Sequence, residues 1–290
     1  MFYLFAFCAV LAYALNSTLM APFARQLGGL RATTLRGLSL GVTMLPLLAF
    51  VPRESLAHVT PAHGATLAAL CAITLLANSL VFQSQKYLPV GISLALMMGV
   101  TTLFSTAYGL IAFKDAYSPI QWGLGALMLV EASLLGAFSR REGPRTHHPL
   151  LGVFLAASGG LAMGAAYSLT ASLSKSGSPF LVAYAWEFGT GLAGAAVLLG
   201  MRLRRMPVQQ TVSVPFYKVL LASSPTALAT ACYALATTTG PLGLASAILS
   251  TMGAFAALFS FLLYRERLTR AQGAMVLAMV ATLVVLKGMG

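Results

Sequence analysis

The stretch GPLGLASAILSTMGAFAALFSFLLYRE, residues 240–266, decides the fold class of this chain. It contains no charged side chain before Arg265. Its apolar part is long enough to cross a bilayer, which takes about 20 residues of α-helix. A helix also satisfies its own backbone hydrogen bonds, as lipid requires. We therefore predict a transmembrane helix over residues 242–263.

Nine further stretches of similar character occupy most of the remaining chain. Of the 290 residues, 58% are hydrophobic and 8% are charged, whereas a soluble domain has about 25% charged residues. The first run begins at once, without a basic segment, so we interpret it as a membrane helix and not as a signal peptide. The sequence thus predicts an all-α integral membrane protein with ten transmembrane helices, the other nine at residues 2–21, 33–51, 64–83, 90–112, 119–138, 149–172, 179–200, 216–237 and 270–287.

The net charge of +12 comes from basic residues in the short gaps between apolar runs. This placement is typical of loops that set membrane orientation and contact anionic lipid head groups. We therefore expect a lipid bilayer as partner and no nucleic acid. The three cysteines lie inside apolar runs, and the four histidines lie in loops without acidic or cysteine companions. We expect no disulfide, metal site or other cofactor.

The two halves of the chain resemble each other at an offset of 151 residues, with one single-residue shift. The matching pairs are Lys114-Asp115 with Arg265-Glu266, Phe104 with Phe255, and Pro89-Val90-Gly91 with Pro241-Leu242-Gly243. Each half holds five predicted helices, and an odd number forces the second copy to enter the membrane from the opposite side. We predict two inverted five-helix repeats, residues 1–138 and 149–290, joined by a linker loop at 139–148.

A family resemblance rests on the same motifs. The second half has GPLGLAS at residues 240–246, a long helix of small residues, YRERLT at 264–269 and then Gln272-Gly273. The first half has a weaker copy, with LPVGIS at 88–93, Lys114-Asp115 and QWG at 121–123. This pattern resembles the EamA repeat of the drug/metabolite transporter superfamily. The resemblance implies a ten-helix, two-repeat transporter of small organic solutes, often an exporter.

The distribution of basic residues predicts an orientation. Thirteen of them lie in or beside the gaps after odd-numbered helices, and four in the gaps after even-numbered helices. Basic loops stay in the cytoplasm, so both termini are placed outside. Members of the family that this chain resembles more often have both termini in the cytoplasm. We expect a multi-pass protein of the cell inner membrane with its termini outside.

Glu187 and Arg36 are the main candidates for a substrate site, because ionisable residues within membrane spans are rare and costly. Tyr184, Glu187, Gly191 and Gly194 share one face of the seventh helix, where the glycines allow another helix to approach. The offset makes Arg36 the repeat equivalent of Glu187. Arg36 would hold an anionic group of the substrate, and Glu187 an amine or a proton. The alternative is a structural ion pair, or an Arg36 side chain that extends to the head groups.

Other polar and aromatic residues within spans are candidates for lining a cavity. Aromatic rings facing a central cavity would suit flat or cationic solutes, and close helix packing is the alternative explanation. The residues are Asn16, Asn78, Tyr167, Tyr184, Trp186 and Tyr233.

Three further acidic residues receive structural roles. Glu131 lies in the fifth span and aligns with Thr282 at the repeat offset. Asp115 and Glu266 lie at helix ends beside basic neighbours, where interfacial charge and helix capping explain them.

These residues predict a secondary transporter of a small organic solute (a metabolite, an amino acid-like compound or an amine), including export, by alternating access. The alternatives are a flippase for a lipid-linked substrate, with a laterally open groove, or a non-transporting membrane scaffold with a packed centre. We expect no enzyme, since no HExxH, GxSxG or P-loop pattern occurs.

Proton coupling is left open. The first and sixth helices carry no carboxylate, so Glu187 is the candidate proton carrier if transport is coupled. The substrate, the direction of transport and the oligomeric state are not specified by the sequence.

Overall fold

The computed structural model describes residues 1–54, 60–84, 87, 90–138, 149–205, 214–265, 270, 273–275, 277–278, 281–282 and 285. Every regular element in these parts of the chain is helical. The helices are α1 (Phe2–Leu27), α2 (Gly29–Thr43), α3 (Pro61–Ser84), α4 (Val90–Tyr108), α5 (Pro119–Phe138), α6 (Pro149–Ser176), α7 (Pro179–Leu203), α8 (Phe216–Thr239), α9 (Leu242–Ser250) and α10 (Met252–Tyr264). The described residues between 270 and 285 are also helical and are called the C-terminal helix.

Seven helical stretches in the described residues are long and apolar enough to cross a membrane. They are Phe2–Ala24, Pro61–Val81, Leu96–Phe113, Leu150–Ser176, Pro179–Leu203, Phe216–Thr239 and Leu242–Tyr264. They coincide with the predicted first, third, fourth and sixth to ninth spans. The predicted second, fifth and tenth spans are not among them, so the count of ten stays a prediction.

The predicted second span, 33–51, has a different structure. Helix α2 begins earlier, at Gly29, and ends at Thr43, after which a 3₁₀ turn covers Leu45–Phe50. Pro46 lies at the start of that turn. Proline has no N–H to donate and disfavours the α conformation of the residue before it, which explains why the α-helix stops here.

The predicted ninth span, 242–263, is divided into α9 and α10 at Thr251. The hydroxyls of Ser250 and Thr251 donate to the carbonyls of Ala247 and Ile248 at 2.6 and 2.7 Å. Such local bonds compete with the backbone ladder and bend a helix. The division therefore follows from two adjacent hydroxyl residues within an apolar run.

Helices of the first half pack mainly against helices of the second half. Helix α1 packs along α8, α3 along α6, α2 along α7, and α4 along α6. The closest approach is at the crossing of α2 and α7, where a Cβ added to Gly37 would lie 2.5 Å from the backbone nitrogen of Gly191. The spacing of glycines on α7 predicted such an approach.

Lys114 and Arg265 end helices in the same unusual backbone conformation, which Arg205 after α7, with a φ of 51°, also adopts. Lys114 follows the π-helical turn Gly109–Phe113 that extends α4, and its φ is 53°. Arg265 follows α10, and its φ is 56°. Left-handed φ values are uncommon for residues other than glycine. The two positions are 151 residues apart in the sequence.

Candidate functional site

Arg36 of α2 and Glu187 of α7 form an ion pair in the interior. Arg36 Nη2 donates to Glu187 Oε2 at 2.7 Å. The Glu187 side chain is 2% exposed, and that of Arg36 is 19% exposed. The carboxylate is therefore fully desolvated, while the guanidinium keeps a partly accessible edge.

The crossing of α2 and α7 holds the pair in place. Helix α7 begins at Ser178, whose hydroxyl caps the N–H of Leu181, and Pro179 occupies its first turn. One and two turns after Glu187 come Gly191 and Gly194, which face Gly37 and Thr34 of α2 at close contact. Because these backbones touch, Arg36 reaches Glu187 across the crossing.

The second oxygen of Glu187 binds a hydroxyl from a third helix. Thr230 Oγ1 of α8 donates to Glu187 Oε1 at 2.8 Å. The hydroxyl of Tyr13 in α1 lies 2.9 Å from the same Thr230 oxygen. Since the Thr230 proton points to the carboxylate, Tyr13 is the donor in that bond. The resulting chain Tyr13–Thr230–Glu187–Arg36 links α1, α8, α7 and α2.

Arg36 has unused donors. A guanidinium carries five N–H groups in a planar fork, and Glu187 accepts from only one nitrogen of Arg36. No other described residue accepts from Arg36. The partly exposed edge of Arg36 is thus able to bind a second anionic group, such as a carboxylate or a phosphate.

Three aromatic residues form a buried cluster beside this chain. The Tyr167 ring lies 4.7 Å from that of Tyr233 and 5.9 Å from that of Trp186, which it meets edge-on at 88°. Trp186 Nε1 donates to Thr74 Oγ1 of α3 at 2.8 Å. The Tyr233 hydroxyl is buried and lies beside the hydroxyl of Ser246 in α9.

Asn16 lies in the interface between α1 and α8, where its side chain bonds to a backbone carbonyl. Its Nδ2 donates to the carbonyl of Ala222 in α8 at 3.1 Å. The serines Ser39 of α2 and Ser223 of α8 bond to each other at 2.6 Å one turn from Arg36. These bonds tie the adjacent residues Ala222 and Ser223 of α8 to α1 and α2.

Two predicted site residues lie apart from the chain of polar contacts. Tyr184 is half-buried and packs on Phe188, at 5.7 Å between rings, next to the apolar residues Leu40 and Met44. Asn78 of α3 is half-buried, and no described residue bonds to its side chain. The structure therefore brings together Arg36, Glu187, Asn16, Tyr167, Trp186 and Tyr233 but neither of these two.

Asp115 and Tyr117 form a second polar contact between the halves, at the N-terminus of α9. Asp115 Oδ2 accepts from the N–H of Leu242 at 2.9 Å, and the Tyr117 hydroxyl accepts from the N–H of Gly243 at 3.1 Å. Burial, with the nearby Asp115 carboxylate, raises the pKa of Tyr117 to about 12. Asp115 is therefore a cap for a helix of the other half. The equivalent Glu266 lies outside the described residues.

Lys175 completes this second contact. Its Nζ lies 3.9 Å from Asp115 Oδ1 and 3.6 Å above the ring of Phe113. A cation so placed is stabilised by both the carboxylate and the ring face. In the described part of the chain, no group of three or more His, Cys, Asp or Glu residues could hold a metal ion.

Thr230 and Thr74 are the polar contacts that sequence reasoning missed, and Tyr13 was not among the predicted site residues. Threonines are frequent in these helices, and nothing local distinguishes Thr230 from its neighbours Thr226 and Thr237. Tyr13 carried a usable signal, because it lies one turn before Asn16 on the same face of α1.

Comparison with known proteins gives one family. Residues 150–287 match the EamA-like transporter family. The resemblance to the EamA repeat of the drug/metabolite transporter superfamily is thereby confirmed for the second half of the chain. Together with the apolar helices, this match supports a multi-pass membrane protein whose residues 150–287 are similar to a transporter family. No curated protein matches the chain significantly.

The fold also has relatives among solved structures, 23 chains in all. One of them, a crystal structure of an otherwise unspecified protein, superposes with a TM-score of 0.75. The match covers 98% of this chain and 96% of that chain at 15% sequence identity. At this identity the likeness concerns the fold alone.

Proposed function

We propose, on the premise that residues 150–287 form an EamA-like transporter repeat, that the chain is a secondary transporter that carries a small organic solute across the cell inner membrane by alternating access. The observation that carries this proposal is the ion pair of Arg36 and Glu187, buried where a first-half helix crosses a second-half helix. An intramembrane ion pair at such a crossing is the arrangement expected of a substrate site near the midplane.

Two contacts support the proposed inverted repeats, residues 1–138 and 149–290 with a linker at 139–148. Arg36 contacts Glu187, and Glu131 contacts Thr282, and both pairs are separated by 151 residues. When two repeats are related by a two-fold axis, a residue that touches its own equivalent must lie beside the axis. Both contacts are therefore expected if the repeats are related by an in-plane axis.

The packing of whole helices supports the same symmetry. If α1 is equivalent to α6 and α3 to α8, the contact of α1 with α8 is equivalent to the contact of α6 with α3. Both contacts are among the most extensive in the structure. Two related halves in close contact can rock against each other about a fixed site, which is the motion that alternating access requires.

The site favours an amino acid-like solute. The partly exposed edge of Arg36 offers donors for a carboxylate, and Glu187 offers negative charge for an amine within the same pair. The rings of Tyr167, Trp186 and Tyr233 supply an adjacent flat apolar surface. A solute carboxylate would compete with Glu187 for Arg36, so binding would loosen the contact between α2 and α7.

In this proposal Glu187 acts as a charged counterion. Both of its oxygens are occupied by donors, Arg36 on one and Thr230 on the other. Glu187 is thereby placed as the partner of Arg36, and its role as a proton carrier stays a prediction.

The proposal is tested by solute uptake into proteoliposomes containing the purified protein. A panel of amino acids, amines and organic acids is first screened for stabilisation against thermal unfolding, and the best ligand is used in radiolabelled form. We expect Arg36→Gln and Glu187→Gln to abolish uptake. Arg31→Gln is the matched control, because Arg31 lies on the same helix and forms no ion pair among the described residues.

Uptake by Glu187→Gln at the wild-type rate would exclude this site from the mechanism. Loss of uptake in Arg31→Gln as well would point to a structural effect of α2 rather than to substrate binding. The predicted orientation, with both termini outside, is tested separately by a reporter fused after Gly290.

A further inference from the structure

Glu131 lies on the inward face of α5. The residue is 6% exposed, and Met128 one turn earlier is fully buried. The opposite face of α5 carries exposed apolar residues, among them Leu127, Val130 and Leu134. The sequence predicts lipid around that face, so Glu131 is enclosed by helices within an apolar setting.

The contacts of Glu131 are few. Thr282 Oγ1 of the C-terminal helix donates to Glu131 Oε1 at 3.1 Å. The other oxygen, Oε2, is buried and has no hydrogen-bond partner among the described residues. No cation pairs with Glu131 among the described residues, since the ion pairs found there are those of Glu187 and Asp115.

Among the described residues of the helices α4, α9 and α10, none carries an acidic or basic side chain. Helices α4, α9 and α10 contact α5, and α9 has no ionisable residue. The ionisable groups of α4 and α10 are Tyr108, which bonds to Ser172, and Tyr264, which bonds to the carbonyl of Thr18. Arg270 precedes Thr282 by 12 residues in the sequence, and Lys287 lies outside the described residues.

A charged carboxylate at position 131 would need more hydrogen-bond donors, or a cation, than the described residues around it provide. An isolated buried charge is so unfavourable that the group takes up a proton instead. A neutral carboxylic acid with one hydrogen bond leaves only an unpaired hydroxyl, which is far less costly. We propose that Glu131 is a proton-binding site, which holds a proton at neutral pH while α5 and the C-terminal helix are in contact.

The proposal predicts different protonation states for the two carboxyl groups within the membrane spans. Glu187 is a carboxylate held by Arg36 and Thr230, whereas Glu131 is a neutral acid in apolar surroundings. A hydrophobic carbodiimide distinguishes them, because it requires the protonated acid. The acid O–H adds across one C=N bond, with the oxygen joined to carbon and the proton to nitrogen. The acyl group then moves to nitrogen and gives a stable N-acylurea, with no further reagent consumed.

The experiment treats the full chain in liposomes at pH 7 with dicyclohexylcarbodiimide and locates the adduct by peptide mass spectrometry. Oleic acid in the same bilayer reports that the reagent is active. We expect the adduct on Glu131, in at least about tenfold excess over Glu187, in the wild type and in Glu187→Gln. The adduct should be missing in Glu131→Gln.

With the oleic acid control positive, an unmodified Glu131 in the wild type would overturn the proposal. So would equal modification of Glu131 and Glu187. A second measurement on the wild type alone uses infrared spectroscopy at pH 7. The carbonyl band of a protonated carboxylic acid is expected, and its absence would also refute the assignment. Because this proposal does not involve the solute site, it can fail while the transport function stands.

Discussion

Glu187 and Glu131 occupy comparable positions in the two halves' contact surface but have opposite surroundings. Each is buried, and each contacts the residue 151 positions away. Glu187 meets a guanidinium and a hydroxyl, so both of its oxygens are paired. Glu131 meets one hydroxyl, and its second oxygen is unpaired. The comparison teaches that two contacts with the same sequence separation can differ, because the side chains at those positions decide how the carboxyl oxygens are paired.

Removing Arg36 should have the largest effect on stability. In Arg36→Leu the Glu187 carboxylate keeps Thr230 but loses its cation, and breaking a buried ion pair in this way costs about 3–5 kcal/mol. Replacing both partners, in Arg36→Leu/Glu187→Leu, should recover most of the loss, because no uncompensated charge is left. Unfolding in mixed detergent micelles measures both. Additive losses in the double variant would contradict the assignment of Glu187 as charged.

Widening the crossing of α2 and α7 should have the second-largest effect on stability. In Gly37→Ala the added Cβ would lie 2.5 Å from the Gly191 nitrogen, so the helices must separate at an expected cost of about 1–3 kcal/mol. Gly200→Ala on α7 is the control, because a Cβ there meets nothing within 4 Å. That control should be neutral or stabilising by up to about 1 kcal/mol. Equal stability of the two variants would show that the close approach does not position the ion pair.

The cap on α9 should have a smaller effect, at a contact between the halves that involves neither Glu187 nor Glu131. Tyr117→Phe removes the acceptor of the Gly243 N–H, with an expected loss of about 1 kcal/mol. Burial raises the pKa of Tyr117 to about 12, above its unfolded value of about 10. The folded state therefore holds this proton more tightly. The associated stability is complete below pH of about 10 and is lost as the pH rises towards about 12.

The pH dependence of unfolding, measured for the wild type and Tyr117→Phe, checks this prediction. The wild type should lose stability in that window by more than the variant does. Parallel curves would mean that Tyr117 titrates normally and does not cap α9.

Glu131→Gln should have the smallest effect. If Glu131 is already a neutral acid, the amide has nearly the same shape and keeps an acceptor for Thr282, so the expected change is below about 1 kcal/mol. The same substitution at Glu187 leaves Arg36 without an anion and should be clearly larger. Similar losses in the two variants, in the same unfolding assay, would remove the distinction between the two carboxyl groups.

Much of the helical architecture could be predicted from sequence because it depends on local composition. Apolar runs of sufficient length located seven helices that the structure confirms as long enough to cross a membrane. The helix breaks within residues 33–51 and 242–263 were missed. Pro46 was visible in the sequence, but whether Ser250 and Thr251 bond to their own helix depends on what packs around them.

The candidate site was predicted in part. The sequence offset of 151 residues paired Arg36 with Glu187, and the structure places the two side chains in contact. Thr230 was not found, because its contact with Glu187 depends on the rotation of α8 about its own axis. Asp115 was expected to be a helix-end charge, but the helix that it caps is α9 of the other half.

What the sequence indicated by itself is the set of apolar helices, the matching residues at an offset of 151, and the similarity of residues 150–287 to a transporter family. Each is recorded in composition or in residue order, which need no knowledge of neighbours in space. Only the tertiary structure decided that both oxygens of Glu187 accept a hydrogen bond, whereas among the described residues only one oxygen of Glu131 does. The reason is physical: the state of a buried carboxyl group depends on the groups within a few ångströms of it, and those come from distant parts of the chain.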